Sequence, residues 1–290
     1  MKKRSMKNIL ITGANGQLGN EMRVLATENN QFNYFFTDVE ELDITDAKAI
    51  NEFVSANEID AIVNCAAYTA VDKAEENAAL CHLLNATAPG YLAAAIQSRG
   101  GVMIQISTDY VFDGTEHTPY TEDLPTCPTS VYGREKLEGE QNVLNACNQS
   151  VVIRTAWLYS IYGVNFVKTM IRLGKEKSQL GVIFDQIGTP TYARDLAMAI
   201  FAVLNKGAVR GIYHFSDEGV CSWFDFTKAI HRMSGITTCK VSPLHTVDYP
   251  TPAARPHYSV LDKTKIKTTF EIEIPHWEES LAECIKLLNA

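Results

Sequence analysis

Short runs rich in β-branched and aromatic residues alternate with longer helical patterns through the first half of the chain. Helical patterns fill about residues 17–28, 46–56, 73–98 and 130–147. The runs between them that predict strands are Asn8–Thr12, Asn33–Thr37, Ala61–Cys65, Val102–Ser107 and Val151–Thr155. Strands that alternate with helices in this way are typical of βαβ units. The alternation therefore predicts an α/β fold built on a parallel sheet.

Beyond Trp157 the pattern becomes less regular, which predicts a smaller lobe in the second half of the chain. The segments predicted there are a strand at Val182–Phe184, a helix near 193–205, a strand at Gly211–Ser216, a helix near 223–234, a Pro-rich stretch at 249–256 and a closing helix at about Trp277–Leu288. We expect a Rossmann-like, doubly wound dinucleotide-binding domain over residues 1–160, to which about 190–235 return. Residues 161–189 and 236–290 are expected to form a C-terminal substrate-binding lobe.

Composition and charge exclude several classes of protein. The 290 residues are 46% hydrophobic and carry a formal net charge of -8, which is unsuited to binding extended nucleic acid. The seven cysteines show no CxxC spacing, so neither a disulfide framework nor a zinc site is indicated. We expect no membrane span and no signal-peptide core in Met1–Ser5, and hence a cytoplasmic protein.

A glycine-rich turn, Gly13-x-x-Gly16-Gln17-Leu18-Gly19, follows the first predicted strand and leads into a helix. Glycines let the backbone approach a pyrophosphate, whose charge is met by the helix N-terminus. Asp38 ends the second predicted strand, where a carboxylate can bind ribose hydroxyls and repel a 2'-phosphate; this favours NADH slightly over NADPH. Asp38 fits an ordinary loop position equally well. Asp43 and Ile44 are further candidates, near the adenine.

Small residues and hydroxyl groups follow the third and fourth predicted strands. Ala66, Ala67, Tyr68 and Thr69 would let a dinucleotide lie close to the backbone, although a buried strand terminus explains them equally well. After the fourth strand, the hydroxyl of Thr108 can reach the same carbonyl oxygen as Tyr132, which opens the next helix. Two donors that converge on one oxygen stabilise a developing alkoxide while hydride arrives at carbon.

Tyr132 and Lys136 are four residues apart, which places them on one face of the predicted helix. A phenol is a usable proton donor near neutral pH, and a nearby fixed positive charge stabilises its phenolate. The pair by itself is common on solvated helices. Combined with the glycine-rich turn and Thr108, it predicts hydride-transfer chemistry.

These motifs resemble the extended short-chain dehydrogenase/reductase family. More narrowly, the chain is similar to the dTDP-4-dehydrorhamnose reductases of that family over nearly its whole length. The segments that carry the narrower resemblance are Thr69-Ala70-Val71-Asp72-Lys73-Ala74-Glu75, Arg154-Thr155-Ala156-Trp157, Asn165-Phe166 and Ala254-Arg255-Pro256-x-x-Ser259-x-Leu261. The resemblance implies reduction of the C4 ketone of dTDP-4-dehydro-β-L-rhamnose with NADPH or NADH.

The resemblance also implies roles for individual residues. Tyr132 would donate the proton, Lys136 would lower its pKa and hold the nicotinamide ribose, and Thr108 would bind the substrate oxygen. The residues implied to contact the substrate are Asp109, Trp157, Asn165 and Arg255, the last through the diphosphate. Without the resemblance, Trp157 would be read as a core residue and Arg255 as an exposed loop residue.

One departure from the family concerns a metal ion that some members hold at a dimer interface through carboxylates. Glu21 fits the first such position, but Arg194 stands where a glutamate is expected. A cation there would be repelled, so we expect no metal, while a homodimer is left open.

Three alternatives follow from the same residues. A sugar-nucleotide dehydratase has Asp-Glu after its threonine, whereas Asp109 is followed here by Tyr110. A regulatory subunit of methionine adenosyltransferase would bind dinucleotide without catalysis, which the intact Thr108, Tyr132 and Lys136 disfavour. A reductase of another nucleotide-linked 4-ketosugar is excluded least securely.

Overall fold

The computed structural model describes residues 7–289. Met1–Ser5, for which the sequence predicts no signal-peptide core, lie outside the described residues. In chain order the strands are β1 (Asn8–Thr12), β2 (Asn33–Thr37), β3 (Ala61–Asn64), β4 (Val102–Thr108), β5 (Ser150–Thr155), β6 (Leu158–Tyr159), β7 (Gln179–Ile183), β8 (Ile187–Gly188), β9 (Thr191–Tyr192), β10 (Gly211–His214), β11 (Cys221–Ser222) and β12 (Lys240–Leu244).

The helices differ from the sequence-based prediction mainly in the second half of the chain. They are α1 (Gln17–Ala26), α2 (Ala47–Ala56), α3 (Val71–Ala74), α4 (Ala78–His82), α5 (Ala88–Ser98), α6 (Val131–Ala146), α7 (Phe166–Glu176), α8 (Ala193–Lys206), α9 (Trp223–Met233), α10 (Thr264–Phe270) and α11 (Trp277–Leu288). A π-helical turn, Leu83–Thr87, joins α4 to α5. The prediction does not include α7, α10 or this turn.

Six parallel strands form the central sheet, in the order β10-β5-β4-β3-β1-β2. The chain moves from β1 outward to β2 and then crosses back to β3, so the strand order reverses between β1 and β3. Ligands in such sheets bind outside the carboxyl ends of the strands at this reversal. The predicted α/β fold with a doubly wound parallel sheet is confirmed.

Two apolar clusters cover the faces of the sheet. Residues of α1 and α8 pack on one face, and residues of α2, α5 and α6 pack on the other. Strands buried on both faces contain a continuous apolar run, as β1 does at residues 9–11 and β5 at residues 151–153. Helices on both faces leave the strand ends as the accessible edge.

A third apolar cluster joins α7, α9 and α11. The sequence predicts that about residues 190–235 return to the sheet. In the structure α8 packs on the sheet and β10 extends it, whereas α9 packs in the third cluster because its apolar face contains Phe226 and Ile230. The division into a dinucleotide-binding domain and a substrate-binding lobe stays a prediction.

The run Ala78–Ser98 is the one stretch among residues 7–289 that is long and apolar enough to cross a membrane by length and composition. Half of that stretch is buried, and Leu92 and Ile96 pack on the sheet in the second cluster. A core helix that covers a sheet has the same length and composition, so these contacts account for its apolar character.

Candidate active site

A cleft of about 760 Å³ runs along the carboxyl ends of β1, β3, β4 and β5. Most of the site residues predicted from the sequence line it, and three do not: Gly19, Tyr68 and Arg255. The predicted residues that the cleft brings together are Gly13, Gly16, Gln17, Leu18, Asp38, Asp43, Ile44, Ala66, Ala67, Thr69, Thr108, Asp109, Tyr132, Lys136, Trp157 and Asn165. The parallel topology accounts for this convergence, since every one of these strands ends at the same edge.

The glycine-rich turn forms one end of the cleft. Gly13 has φ +63°, and a Cβ there would lie 2.6 Å from the backbone nitrogen of Ala66. Gly16 precedes α1 without a side-chain cap, and the first turn of α1 holds no acidic residue. Uncapped amides at a helix N-terminus attract anions, so the turn fits the pyrophosphate of a dinucleotide.

Gly19 and Tyr68 serve the cleft indirectly. A Cβ at Gly19 would lie 2.4 Å from the carbonyl oxygen of Gly13, so Gly19 lets α1 pack against the turn. The backbone nitrogen and oxygen of Tyr68 both bind the side-chain amide of Asn85, at 2.9 and 3.0 Å. Asn85 lies in the π-helical turn and the sequence analysis missed it, because no local pattern marks a buried asparagine as a backbone clamp.

Asp38 and Asp43 lie beside the glycine-rich turn at the edge of β2. The Asp38 carboxylate accepts hydrogen bonds from the backbone nitrogens of Asn15 (3.0 Å) and Val39 (2.9 Å). Asp43 accepts from the hydroxyl and backbone nitrogen of Thr45, and these bonds lower its pKa. Both side chains are therefore held in place at the cleft wall.

Tyr132 lies in the first turn of α6, which begins after Ser130 because the Ser130 hydroxyl accepts from the backbone nitrogen of Gly133. Burial raises the pKa of Tyr132 well above the ordinary 10, and a hydrogen bond with Thr108 opposes the rise. The phenol is therefore neutral near pH 7, which suits a proton donor. That Lys136 lowers this pKa stays a prediction.

Lys136 lies one helical turn beyond Tyr132 and is 4% exposed. Its ammonium donates a hydrogen bond of 2.6 Å to the carbonyl oxygen of Ile106. Burial lowers the pKa of Lys136 to about 8, and the carboxylate of Glu140 opposes this shift. The lysine is thus cationic at neutral pH by a narrow margin.

Thr108 and Asp109 end β4 beside Tyr132. The Thr108 hydroxyl lies 3.0 Å from the Asp109 carboxylate, to which it donates. Burial raises the pKa of Asp109 to about 6, although hydrogen bonds from Thr108 and Ser259 oppose the rise. Ser259 is a second residue whose contact the sequence did not predict, because it comes from the C-terminal part of the chain.

Trp157 lies at a bend between β5 and β6, with φ +49°. Its ring stacks on Trp223, with 3.5 Å between centroids and 12° between planes. A Cβ at Gly188 would lie 2.7 Å from the Trp157 ring, so this glycine makes room for it. Trp157 is half-buried and lines the cleft, whereas the default sequence interpretation placed it in the core.

Asn165 and Arg255 differ in their relation to the cleft. Asn165 caps α7 through Lys168 and donates a 3.0 Å hydrogen bond to Gln17, so it joins α7 to the glycine-rich turn. Arg255 does not line the cleft. Its guanidinium binds both carboxylate oxygens of Asp72, at 2.9 and 2.7 Å, which lowers the pKa of Asp72.

The groups considered for a metal ion are occupied by other contacts. Glu21 is buried and accepts from the Ser160 hydroxyl at 2.5 Å, and the positive charge of Arg194 lowers the pKa that burial raises. Among the described residues, His82, Glu135 and Glu138 could also hold a cation, but His82 lies 2.6 Å from Glu135 in a direct contact. That the protein binds no metal stays a prediction.

Comparison with known proteins decides the family. Residues 6–290 match the model of the family described as RmlD substrate binding domain. The chain belongs to this family. A curated RmlD-type relative from Aggregatibacter actinomycetemcomitans, a dTDP-4-dehydrorhamnose reductase, is 39% identical over 95% of this chain and 97% of its own. A Streptomyces antibioticus relative, described as a probable dTDP-4,6-dihydroxy-2-methyloxan-3-one 4-ketoreductase, is 40% identical over 94% and 93%.

Solved structures agree with this assignment to the RmlD family. The dTDP-4-dehydrorhamnose reductase of Clostridium acetobutylicum is 46% identical, with a TM-score of 0.94 over 98% of this chain and 100% of its own. That of Bacillus anthracis, in complex with NADP, is 38% identical, with a TM-score of 0.93 over 97% and 99%. The resemblance seen in the sequence motifs is confirmed.

Proposed function

We propose that the protein reduces the C4 ketone of dTDP-4-dehydro-β-L-rhamnose to dTDP-β-L-rhamnose, with NADPH or NADH as reductant. The observation that carries the proposal is that one cleft contains both an uncapped glycine-rich helix N-terminus and the Thr108, Tyr132 and Lys136 side chains. Full-length relatives of the same family with this activity support it.

The side chains divide the chemistry of a ketone reduction between them. The bound nicotinamide cofactor supplies the hydride. Tyr132, neutral in the buried site, gives its phenol proton to the ketone oxygen as negative charge develops there. The Thr108 hydroxyl, turning from Asp109, donates a hydrogen bond to the same oxygen. The Lys136 ammonium stabilises the phenolate that Tyr132 becomes.

Cofactor choice depends on Asp38 and the residues around it. A carboxylate at this place binds ribose hydroxyls and disfavours a 2'-phosphate, which favours NADH. The B. anthracis relative was solved with NADP, which supports NADPH. We propose that both reductants are used and that Asp38 sets their ratio.

Substrate contacts are proposed for Asp109, Trp157 and Asn165, which line the same cleft as Tyr132. Trp157 offers an aromatic face to the sugar, and Asp109 offers hydrogen bonds. Arg255 reaches a diphosphate only if it leaves Asp72, so we propose that the substrate displaces that pair. A cytoplasmic location and a homodimer stay predictions.

A second candidate function is reduction of another nucleotide-linked 4-ketosugar. The S. antibioticus relative, which is 40% identical against 39% for the A. actinomycetemcomitans dTDP-4-dehydrorhamnose reductase, is described as acting on a differently substituted dTDP-ketosugar. The same donors at the ketone oxygen serve either substrate, so discrimination depends on the sugar contacts.

The decisive experiment measures the loss of NADPH absorbance, and separately that of NADH, with purified protein and enzymatically generated dTDP-4-dehydro-L-rhamnose. Oxidation is expected with wild type. Tyr132→Phe is expected to lower kcat by about 10²- to 10⁴-fold, since it removes the proton donor, and to leave NADPH affinity within about twofold.

Tyr91→Phe is the matched control, because it removes a phenol from the exposed side of α5. Turnover of Tyr132→Phe close to that of this control would sink the mechanism. Cofactor binding without oxidation of the reduced cofactor would direct the search to other 4-ketosugars.

A further inference from the structure

Glu140 is the third member of a series on α6, after Tyr132 and Lys136, at four-residue spacing. Residues at this spacing lie on one helix face, so Glu140 faces the sheet beneath the candidate active site. It is 1% exposed. A carboxylate so deeply buried requires compensating charge and hydrogen bonds.

The carboxylate of Glu140 is fully used by its neighbours. One oxygen accepts from the Ser107 hydroxyl at 2.5 Å and from Nε of Arg154 at 2.9 Å, and the other accepts from Nη2 of Arg154 at 2.7 Å. Ser107 precedes Thr108, so the Glu140 carboxylate contacts the strand that carries Thr108, the second hydrogen-bond donor to the ketone oxygen. Glu140 thereby joins α6, β4 and β5.

Further charged or titratable groups lie around Lys136 and Glu140. Arg154 is 2% exposed, and its guanidinium lies 3.5 Å from His214 on β10. Burial and Arg154 lower the pKa of His214 to about 3, so His214 is neutral. From α4, the thiol of Cys81 also faces Lys136. Two buried cations, Lys136 and Arg154, therefore depend on one carboxylate.

A buried ion pair is poor evidence of stability, because desolvation of the charges offsets their attraction. An apolar pair of similar size would serve the fold as well. Glu140 lies one helical turn from Lys136 and bonds Ser107, while the Lys136 ammonium bonds the carbonyl oxygen of the adjacent Ile106, and this placement gives the pair a different use. We propose that Glu140 is a positioning residue of the active site: it keeps the Lys136 ammonium charged and fixes the end of β4 that carries Thr108.

The inference rests on the proposed role of Lys136, and its test is the pH dependence of turnover. The ammonium is present below the pKa of Lys136 and is lost as pH rises through it, so kcat declines at high pH. Glu140→Gln leaves only the cation of Arg154 and moves this decline to lower pH. Arg154→Met leaves only the carboxylate and moves the decline to higher pH.

We expect Glu140→Gln to move the alkaline decline of kcat by about one pH unit, which lowers kcat about tenfold relative to wild type on the alkaline side. Near pH 6 its kcat should recover to within about threefold of wild type. The double variant Glu140→Gln/Arg154→Met removes both charges and avoids an uncompensated buried arginine. The alkaline decline of kcat in the double variant is expected at a pH between those of Glu140→Gln and wild type. If Glu140→Gln fails to fold, the double variant provides the test. Coincident profiles of the folded variants and wild type overturn the proposal.

NADPH affinity, measured by fluorescence over the same pH range, separates this inference from the proposed function. If wild type turns over no ketosugar, the binding curves still report the charge of Lys136. The pH at which NADPH affinity changes should shift among the variants in the same order as the predicted declines in turnover. Lys136→Met should abolish the pH dependence of NADPH affinity. If wild type turns over the ketosugar with an alkaline decline that Glu140→Gln and the double variant leave unmoved, the inference fails while the function stands.

Discussion

Asp109 is a buried carboxyl group, 2% exposed, and its ionisation opposes folding. Its pKa rises from an ordinary 3.8 to about 6 because burial disfavours the charged form. The folded protein therefore holds this proton more tightly than the unfolded chain. The destabilisation grows as pH rises from about 4 to 6 and is complete above that range.

We expect Asp109→Asn to raise the free energy of unfolding by about 2 kcal/mol near pH 7.5, since the amide keeps an acceptor for Thr108 and carries no charge. Near pH 4 the gain should vanish. Urea titrations at both pH values test this, and an equal gain at both would contradict the assignment. The same variant should lose turnover, because Asp109 is a proposed substrate contact.

The place of a single residue can be predicted from the sequence where one strand end or one helix turn defines it. Gly13, Thr108, Tyr132 and Lys136 are such residues, and they share the cleft. The orientation of Arg255 could not be predicted, because it depends on Asp72, 183 residues away along the chain. Long-range ion pairs leave no local pattern in one sequence.

Helix α6 packs closely against the π-helical turn at Leu83–Thr87. A Cβ at Gly139 would lie 2.0 Å from the carbonyl oxygen of Asn85, and Asn85 also binds the backbone of Tyr68. The contact therefore connects α6 to the loop after β3. The absence of a side chain at Gly139 sets the distance between these elements.

We expect Gly139→Ala to destabilise the protein by about 3 kcal/mol, because backbone on both sides must move apart. Gly90→Ala in α5 is the matched control. Its Cβ would meet the Asn142 side chain of the same α6 at an ordinary 3.4 Å, so stability should be unchanged or should rise by up to about 1 kcal/mol. Thermal unfolding of both variants provides the test, and equal effects would contradict the prediction.

Element prediction succeeded where local signals suffice and failed where two signals compete. The bounds of β1, β2 and α11 agree with the sequence-based prediction. The sequence analysis assigned Asn165 to substrate binding and left α7 unpredicted, yet an asparagine before an apolar pattern is also a helix-start signal. The predicted helix over 73–98 is broken between α3 and α4, and it contains a π-helical turn that no propensity scale anticipates.

Across the whole molecule, a buried acidic pair joins the sheet to the third apolar cluster. Asp195 on α8 accepts from the Ser280 hydroxyl of α11 at 2.6 Å. Asp217 follows β10 and accepts from the backbone nitrogen of Tyr192 at 3.0 Å. Burial and the proximity of Asp195 raise the pKa of Asp217 well above its ordinary value, and burial raises that of Asp195 to about 6.

Both pKa values are raised, so stability should fall as pH rises from about 4, where the unfolded chain loses these protons and the folded protein keeps them. Above about pH 6, where Asp195 has ionised, the further fall comes from Asp217. Asp217→Asn should abolish most of the decline above about pH 6 and leave the melting temperature near pH 4 nearly unchanged. Differential scanning calorimetry at several pH values provides the test. A wild-type melting temperature that does not fall over this range would contradict the account.

The stacked tryptophans at the wall of the cleft give the molecule an optical property. The sequence has three tryptophans, and two of them, Trp157 and Trp223, are in face-to-face contact, while Trp277 packs edge-on against Phe226. Indole transitions at this separation couple into an exciton doublet, visible by circular dichroism. The protein therefore carries an intrinsic, label-free reporter at its proposed sugar-binding wall, by which substrate entry could be timed without any chemical turnover.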